Sequence, residues 1–253
     1  MTLTTDTERT NLLEAGRRLA AVLKALRARV APGVSAASLD DFAEAMIREG
    51  GDTPAFLGYV LDGSPPYPAT LCVSINEEVV HGIPNESPKI LKEGDIVGLD
   101  LGLVHEGTIV DSAITVPVGD IDEKSKKLMR VTEEALAAGI EAARPGGHVG
   151  DIGHAIQGVI ESAGFTVVRD LGGHGVGERV HEEPFIANFG KAGTGPKLVE
   201  GMVLALEPIA AVGKGAVILA PDGFTYRTRD GSRSAHFEHT ILIEKDSALV
   251  VTK

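Results

Sequence analysis

Cysteine, basic runs and long apolar runs are scarce in this sequence, and each shortage excludes a class of protein. Cys72 is the only cysteine in 253 residues, so the chain can form neither an internal disulfide nor a cysteine-rich zinc cluster. The net charge of −12 and the lack of a lysine or arginine run argue against nonspecific nucleic-acid binding. We expect neither a signal peptide nor a membrane span, and therefore a cytoplasmic protein.

Carboxylates interrupt apolar segments in which a strand would bury them. Residues 96–101 alternate as a strand that carries Asp100, and residues 108–116 as a second strand that carries Asp111. The turn between them, His105-Glu106-Gly107, predicts a β-hairpin. Two further apolar segments, which we also predict to be strands, each carry one glutamate: Glu207 in 203–208 and Glu238 in 236–243.

These four carboxylates need a cationic partner that the nearby sequence does not supply. No lysine or arginine occurs between Lys92 and Lys124. A buried ionised carboxylate is costly unless something pairs with it. One such residue would be explained by hydrogen bonds from backbone N–H groups, but four together favour a bound metal ion.

The chain also repeats one plan of helix, helix and strands. Apolar residues recur at helical spacing over residues 8–30 and again over 123–143, and Pro32-Gly33 and Pro145-Gly146 end these two helices. A second helix follows each of them, the first with Ser38 as its expected N-cap.

The repeat extends to the acidic segments. Residues 91–97 resemble residues 198–204, and this match aligns Asp100 with Glu207. Two related halves with adjoining sheets would gather the four carboxylates at one centre. We place these α/β halves at about 8–118 and 119–253.

Three of the eight histidines stand in special surroundings. His174 lies in the glycine-rich stretch 171–177, where the backbone can approach a ligand closely. His81 lies in the turn-like sequence VVHGIP, and His181 opens the sequence HEEP. A glycine-rich motif alone is weak, but four carboxylates without cations make a histidine metal ligand the better hypothesis. The remaining histidines have no context that assigns them a role: His105, His148, His154, His236 and His239.

Five separated motifs together resemble a known family. In order they are NEEVVHGIP, then GLDLG with Asp111 behind it, then GGHGVG with HEEP, then LALEP, then FEHT. This order and spacing resemble the type I methionine aminopeptidases over essentially the whole chain. The resemblance implies the pita-bread fold of class α/β (α+β), with two pseudo-symmetric halves and antiparallel sheets around a central dinuclear metal site. We expect one catalytic domain, residues 1–253.

The resemblance implies a role for each site residue. The metal ligands would be Asp100, Asp111, His174, Glu207 and Glu238, holding two divalent ions of Co, Mn, Fe or Zn. The catalytic residues would be His81, His181 and Glu207. The substrate-binding residues would be these two histidines and an apolar methionine pocket of Tyr59, Tyr67, Cys72 and Phe224. Residues 63–66 add loop length beside this pocket, and Phe224 stands where bacterial relatives often have tryptophan.

The implied activity is removal of the N-terminal methionine from nascent polypeptides whose second residue is small, by metal-activated attack of water on the first peptide bond. We expect a monomer with no nucleic-acid or membrane partner, and the sequence leaves docking at the ribosome open. One alternative is a proline-specific aminopeptidase or dipeptidase of the same fold, which usually carries an extra N-terminal domain. Another is a binding protein that has lost catalysis, but every ligand position is intact here.

Overall fold

The computed structural model describes residues 1–60, 63–85 and 88–253. Within these ranges it has four helices and fifteen strands. In chain order they are α1 (Asp6–Arg27), α2 (Ala36–Glu49), β1 (Thr53–Pro54), β2 (Leu71–Ile75), β3 (Glu78–Val80), β4 (Ile96–His105), β5 (Thr108–Pro117), α3 (Glu123–Ala142), α4 (Val149–Ser162), β6 (Thr166–Val167), β7 (Gly172–Gly175), β8 (Glu182–Ala187), β9 (Val203–Leu206), β10 (Ile209–Ala211), β11 (Val217–Leu219), β12 (Tyr226–Thr228), β13 (Ser234–His236), β14 (His239–Ile243) and β15 (Ala248–Val250).

Polar side chains fix where the helices begin. Thr5 caps α1 through a capping box with Glu8, and Asp122 caps α3. The prediction that Ser38 caps α2 is wrong. Ser35, three residues earlier, has an extended backbone, and its hydroxyl accepts the Ser38 N–H at 3.1 Å. Ser38 therefore lies inside the first turn of α2.

The predicted hairpin is confirmed as β4 and β5. Glu106 and Gly107 have φ of 47° and 78°, the left-handed geometry that a tight hairpin turn requires. The register pairs Asp100 with Ala113 and Gly102 with Asp111. Because residues two apart on a strand share a face, this register places both aspartates on the same face of the hairpin. Strand β2 pairs with β4 on its other edge, and β1 pairs with the end of β4.

A five-stranded antiparallel sheet has the order β15-β14-β9-β7-β8, and two smaller sheets have the orders β13-β10-β6 and β11-β12-β3. The prediction that Glu207 and Glu238 lie within strands is wrong. Glu207 follows the last residue of β9, and Glu238 lies between β13 and β14. At both points the chain leaves one sheet for another, since β9 and β14 belong to the five-stranded sheet while β10 and β13 pair with each other.

Two hydrophobic clusters hold the helices against the sheets. The first joins α1 and α2 to β2, β4 and β5, with residues such as Leu19 and Leu99 fully buried. The second joins α3 and α4 to β9 and β14, with residues such as Ile156 fully buried. Ile114 on β5 packs against both clusters. Among the residues described, none of the helices combines the length and apolar character needed to cross a membrane.

Candidate metal centre

Asp111, His174 and Glu238 form a buried group of potential metal ligands. One ligand atom from each lies within 4.8 Å of the others. The three residues are only 3%, 7% and 2% exposed, in the same order. They come from β5, from β7 and from the link before β14, so the fold brings distant parts of the chain to one point.

Asp100 and Glu207 join this group. Asp100 shares the hairpin face of Asp111, and Glu207 Oε1 lies 3.6 Å from His174 Nε2. All five residues that the sequence predicted as metal ligands thus lie close together. Their individual roles as ligands remain a prediction.

Burial raises the pKa of every carboxyl in the group. For Asp111 the pKa rises to about 7, mainly because the ionised form is desolvated. Burial also raises the pKa of Asp100, Glu207 and Glu238 well above the usual range, and the neighbouring carboxylates raise it further. Three buried oxygens of this group find no hydrogen-bond partner among the described residues: Asp100 Oδ1, Asp111 Oδ1 and Glu238 Oε1. Such oxygens fit a divalent cation, which prefers oxygen ligands and would favour their ionised form.

The orientation of His174 suits it to bind a metal. Its Nδ1 lies 2.9 Å from the Gly175 carbonyl oxygen, which can only accept a hydrogen bond, so Nδ1 carries the proton. Burial, and then the nearby His181, lower the pKa of His174 to about 3, and the ring is therefore neutral at neutral pH. Its Nε2 then has a free lone pair that points toward the carboxylates.

His81 and His181 stand beside this group. The His181 ring packs edge-on against His174 with 4.5 Å between ring centroids, and its Nδ1 lies 2.9 Å from the Tyr59 hydroxyl. His81 sits at a left-handed turn with φ of 58°. Burial lowers the pKa of His181, and burial and His181 together lower that of His81 to about 4. Both rings are therefore neutral near pH 7.

The predicted pocket residues belong to one apolar cluster. Tyr67 and Cys72 are buried in it, and Tyr59 and Phe224 pack against it. The rings of Tyr67 and Phe224 meet edge-on at 5.5 Å, and the Tyr67 hydroxyl donates to the Gly82 carbonyl oxygen at 3.1 Å. Residues 63, 65 and 66 of the adjoining loop are exposed, whereas residues 61 and 62 lie outside the described part of the chain.

A comparison of the sequence with models of known protein families shows which family the chain belongs to. The model of metallopeptidase family M24 matches residues 10–245. The chain belongs to metallopeptidase family M24. It is 44% identical to methionine aminopeptidase 1 of Bacillus subtilis over 240 residues, which are 95% of this chain and 94% of that protein. It is also 44% identical to the methionine aminopeptidase of Thermotoga maritima, whose crystal structure matches with a TM-score of 0.95 over all of both chains.

These matches confirm the family and the fold class that the sequence predicted. Membership in family M24 implies that a divalent metal is bound, and the donor atoms described above fit one. The prolidase of Pyrococcus furiosus is more distant, with a TM-score of 0.77, 23% identity and 65% of its chain covered. That likeness shows a shared fold alone.

His236 is the residue of this metallopeptidase that the sequence analysis missed. It is 4% exposed, and its Nε2 lies 3.6 Å from Glu207 Oε2 and 3.8 Å from Glu238 Oε2. Burial, and then His81 and His174, lower its pKa to about 3. The sequence signal that could have identified His236 is its spacing from Glu238. In an extended segment, a residue two positions before Glu238 lies on the same face as Glu238.

Proposed function

We propose that this chain removes the N-terminal methionine from nascent proteins and peptides whose second residue is small. The observation that carries the proposal is the group of four carboxylates and an imidazole beside an apolar cluster that contains aromatic side chains. Relatives that are 41–44% identical and named methionine aminopeptidase support it. The proline-specific alternative has only distant fold neighbours in its favour.

We propose that two divalent ions of Co, Mn, Fe or Zn are held by Asp100, Asp111, His174, Glu207 and Glu238. Four ionised carboxylates balance the charge of two such ions, and His174 Nε2 adds a neutral donor. When bound, the ions act as Lewis acids that polarise a carbonyl oxygen and acidify water. The affinity order of the metals does not select one of them, so metal analysis of protein purified without added metal is the test.

The remaining chemistry comes from the side chains. Glu207 accepts a proton from water and passes it to the leaving amine, a role suited to a carboxyl whose pKa burial raises. The Tyr59 hydroxyl lies 2.9 Å from His181 Nδ1, and we propose that it donates to this nitrogen, which places the proton of the neutral His181 ring on Nε2. That N–H stabilises the negative charge that develops on the substrate carbonyl oxygen, and His81 bonds near the leaving nitrogen.

The pocket accounts for the specificity. Tyr59, Tyr67, Cys72 and Phe224 offer a largely apolar surface with favourable sulfur–aromatic contacts for a thioether. An apolar pocket discriminates by only about 1–3 kcal/mol per methylene, so norleucine remains a tolerated first residue. Charged first residues are rejected, because the pocket would desolvate them without a partner.

A kinetic panel on the metal-loaded protein tests the assignment. We expect kcat/KM to be highest for Met-Ala and Met-Gly peptides, far lower for Met-Leu and Met-Lys, and negligible for Ala-Pro. A chelator should abolish cleavage, and Mn²⁺ or Co²⁺ should restore it. A panel in which X-Pro peptides are cut fastest would replace this proposal with the proline-specific one.

We also propose that the enzyme acts on nascent N-termini in the cytoplasm, as a monomer with a single catalytic domain, residues 1–253. Analytical ultracentrifugation tests the monomer. Docking at the ribosome is a hypothesis that co-sedimentation of the purified protein with ribosomes would test.

A further inference from the structure

His236 is a buried imidazole with no hydrogen-bond partner for its Nε2 among the described residues. That nitrogen points between two carboxylates, 3.6 Å from Glu207 Oε2 and 3.8 Å from Glu238 Oε2. An unpaired buried nitrogen is unfavourable unless it acquires a partner. The two carboxylates are the acceptors within reach.

The backbone of His236 is held firmly next to these carboxylates. Its N–H donates to the Thr115 hydroxyl at 3.0 Å, and the same hydroxyl donates to the His236 carbonyl oxygen at 2.7 Å. In the ladder between β10 and β13, His236 is paired with Ile209, two residues after Glu207. The ring is therefore placed beside the link that carries Glu207, and none of these backbone bonds involves the side chain of His236.

The carboxylate of Glu207 lies between two imidazoles. Its Oε1 is 3.6 Å from His174 Nε2, and its Oε2 is 3.6 Å from His236 Nε2. The nitrogen of His174 has a lone pair there, because the proton of that ring is on Nδ1. A second lone pair facing the carboxylate would repel it, whereas an N–H would donate to it. The difference between the two histidines thus assigns the proton of His236 to Nε2.

We propose that His236 is a positioning residue that donates its Nε2–H to Oε2 of Glu207 and so leaves Oε1 to face the metal. The inference rests on the proposed function, since the bond matters only if Glu207 is a metal ligand. The present 3.6 Å separation exceeds a formed bond, so Glu207 must shift by less than about 1 Å to complete it. Donors behind ligating carboxylates orient them and raise metal affinity.

Isothermal titration calorimetry of the metal-free full chain with Mn²⁺ tests the role of His236. His236→Leu removes the donor and keeps an apolar side chain, whereas His236→Gln keeps a side-chain N–H. We expect the leucine variant to bind Mn²⁺ about 10- to 100-fold more weakly than the parent. The glutamine variant should keep most of the affinity. Unchanged affinity in the leucine variant overturns the proposal, as does an equal loss in both variants.

Two further variants distinguish a specific role of His236 from a general failure of the metal centre. His239→Leu removes a nearby histidine whose Nδ1 bonds the Thr252 hydroxyl at 2.9 Å, and it should leave Mn²⁺ affinity unchanged. Asp111→Asn tests the metal centre itself. If that variant binds Mn²⁺ like the parent, the proposed function fails. If it loses Mn²⁺ while His236→Leu does not, only the role of His236 fails.

A measurement on the parent protein covers the case in which the leucine variant does not fold. In ¹⁵N-histidine-labelled protein loaded with diamagnetic Zn²⁺, the Nε2 resonance of His236 should be that of a protonated nitrogen. The Gln variant identifies this resonance by its disappearance. A bare or metal-bound Nε2 would overturn the proposal.

Discussion

Replacing Asp111 by asparagine should stabilise the metal-free protein at neutral pH even though it removes a proposed metal ligand. Asparagine keeps the shape of the aspartate but cannot ionise. Burial raises the pKa of Asp111 from 3.8 to about 7, which corresponds to about 4 kcal/mol against the ionised form in the folded state. The substitution removes that penalty.

The sign of the effect follows from where Asp111 binds its proton. Folding raises the pKa of Asp111. Its contribution to the free energy of unfolding is therefore complete below the unfolded pKa of 3.8 and is lost as the pH rises to about 7. The advantage of Asp111→Asn is therefore small near pH 4, grows up to about pH 7 and is constant above it. Between pH 5 and pH 8 we expect it to grow by about 3 kcal/mol.

Urea unfolding of chelator-treated parent and variant at pH 5 and pH 8 measures this difference. Asp41→Asn, at an exposed position of α2, is the matched control and should show no pH-dependent change. A stability difference that is the same at both pH values would refute the reasoning. In a second series Mn²⁺ should raise the stability of the parent but not that of Asp111→Asn, because only the parent binds it tightly.

Two further predictions concern hydroxyl groups. Tyr59→Phe should lower kcat on a Met-Ala peptide with little change in KM, because the Tyr59 hydroxyl bonds His181. Tyr67→Phe should leave kcat nearly unchanged, since the Tyr67 hydroxyl bonds a backbone carbonyl. Equal losses of kcat in the two variants would contradict the distinction. Ser35→Ala should reduce the free energy of unfolding by about 1 kcal/mol through loss of the α2 cap. In urea unfolding an unchanged midpoint for this variant would show that the cap is unimportant.

The features that the sequence predicted correctly depend on local pattern. The β4–β5 hairpin follows from alternation with period two and from a turn whose residues accept positive φ. Once that hairpin exists, the register places Asp100 and Asp111 on one face. The helices likewise follow from apolar spacing, although the choice between Ser35 and Ser38 as cap depends on the backbone conformation before the helix.

The features that the sequence did not predict depend on which strands pair. Glu207 and Glu238 lie where the chain passes between sheets, and strand pairing across the fold decides where that happens. His236 was left without a role for the same reason, since its partner Glu207 is 29 positions away in sequence and approaches only through the pairing of β10 with β13. The pattern of apolar residues marks the segments as extended but does not show where a sheet ends.

Backbone pairing then ties one of these links to the hairpin. Glu238 donates its N–H to the Ala113 carbonyl oxygen at 2.9 Å, and Ala113 is the residue paired with Asp100. The Ser112 hydroxyl donates to the Glu238 carbonyl oxygen at 2.7 Å. Glu238 is thereby held opposite the two aspartates although more than a hundred residues separate them.

Two buried threonine hydroxyls, Thr115 on β5 and Thr240 on β14, add further bonds between β5 and the segments around Glu238. These bonds explain why strands inside the core carry hydroxyl side chains. The Thr240 hydroxyl accepts the Asp111 N–H at 2.9 Å and donates to the Asp111 carbonyl oxygen at 2.7 Å, while Thr115 makes the same pair of bonds to His236. Thr240 is fully buried and Thr115 nearly so. An aliphatic residue at either position would leave a backbone N–H and a carbonyl unpaired in the core, which is unfavourable. The hydroxyls thus hold Asp111 on β5 and His236 on β13 at fixed positions, as a site made of residues from both parts of the chain requires.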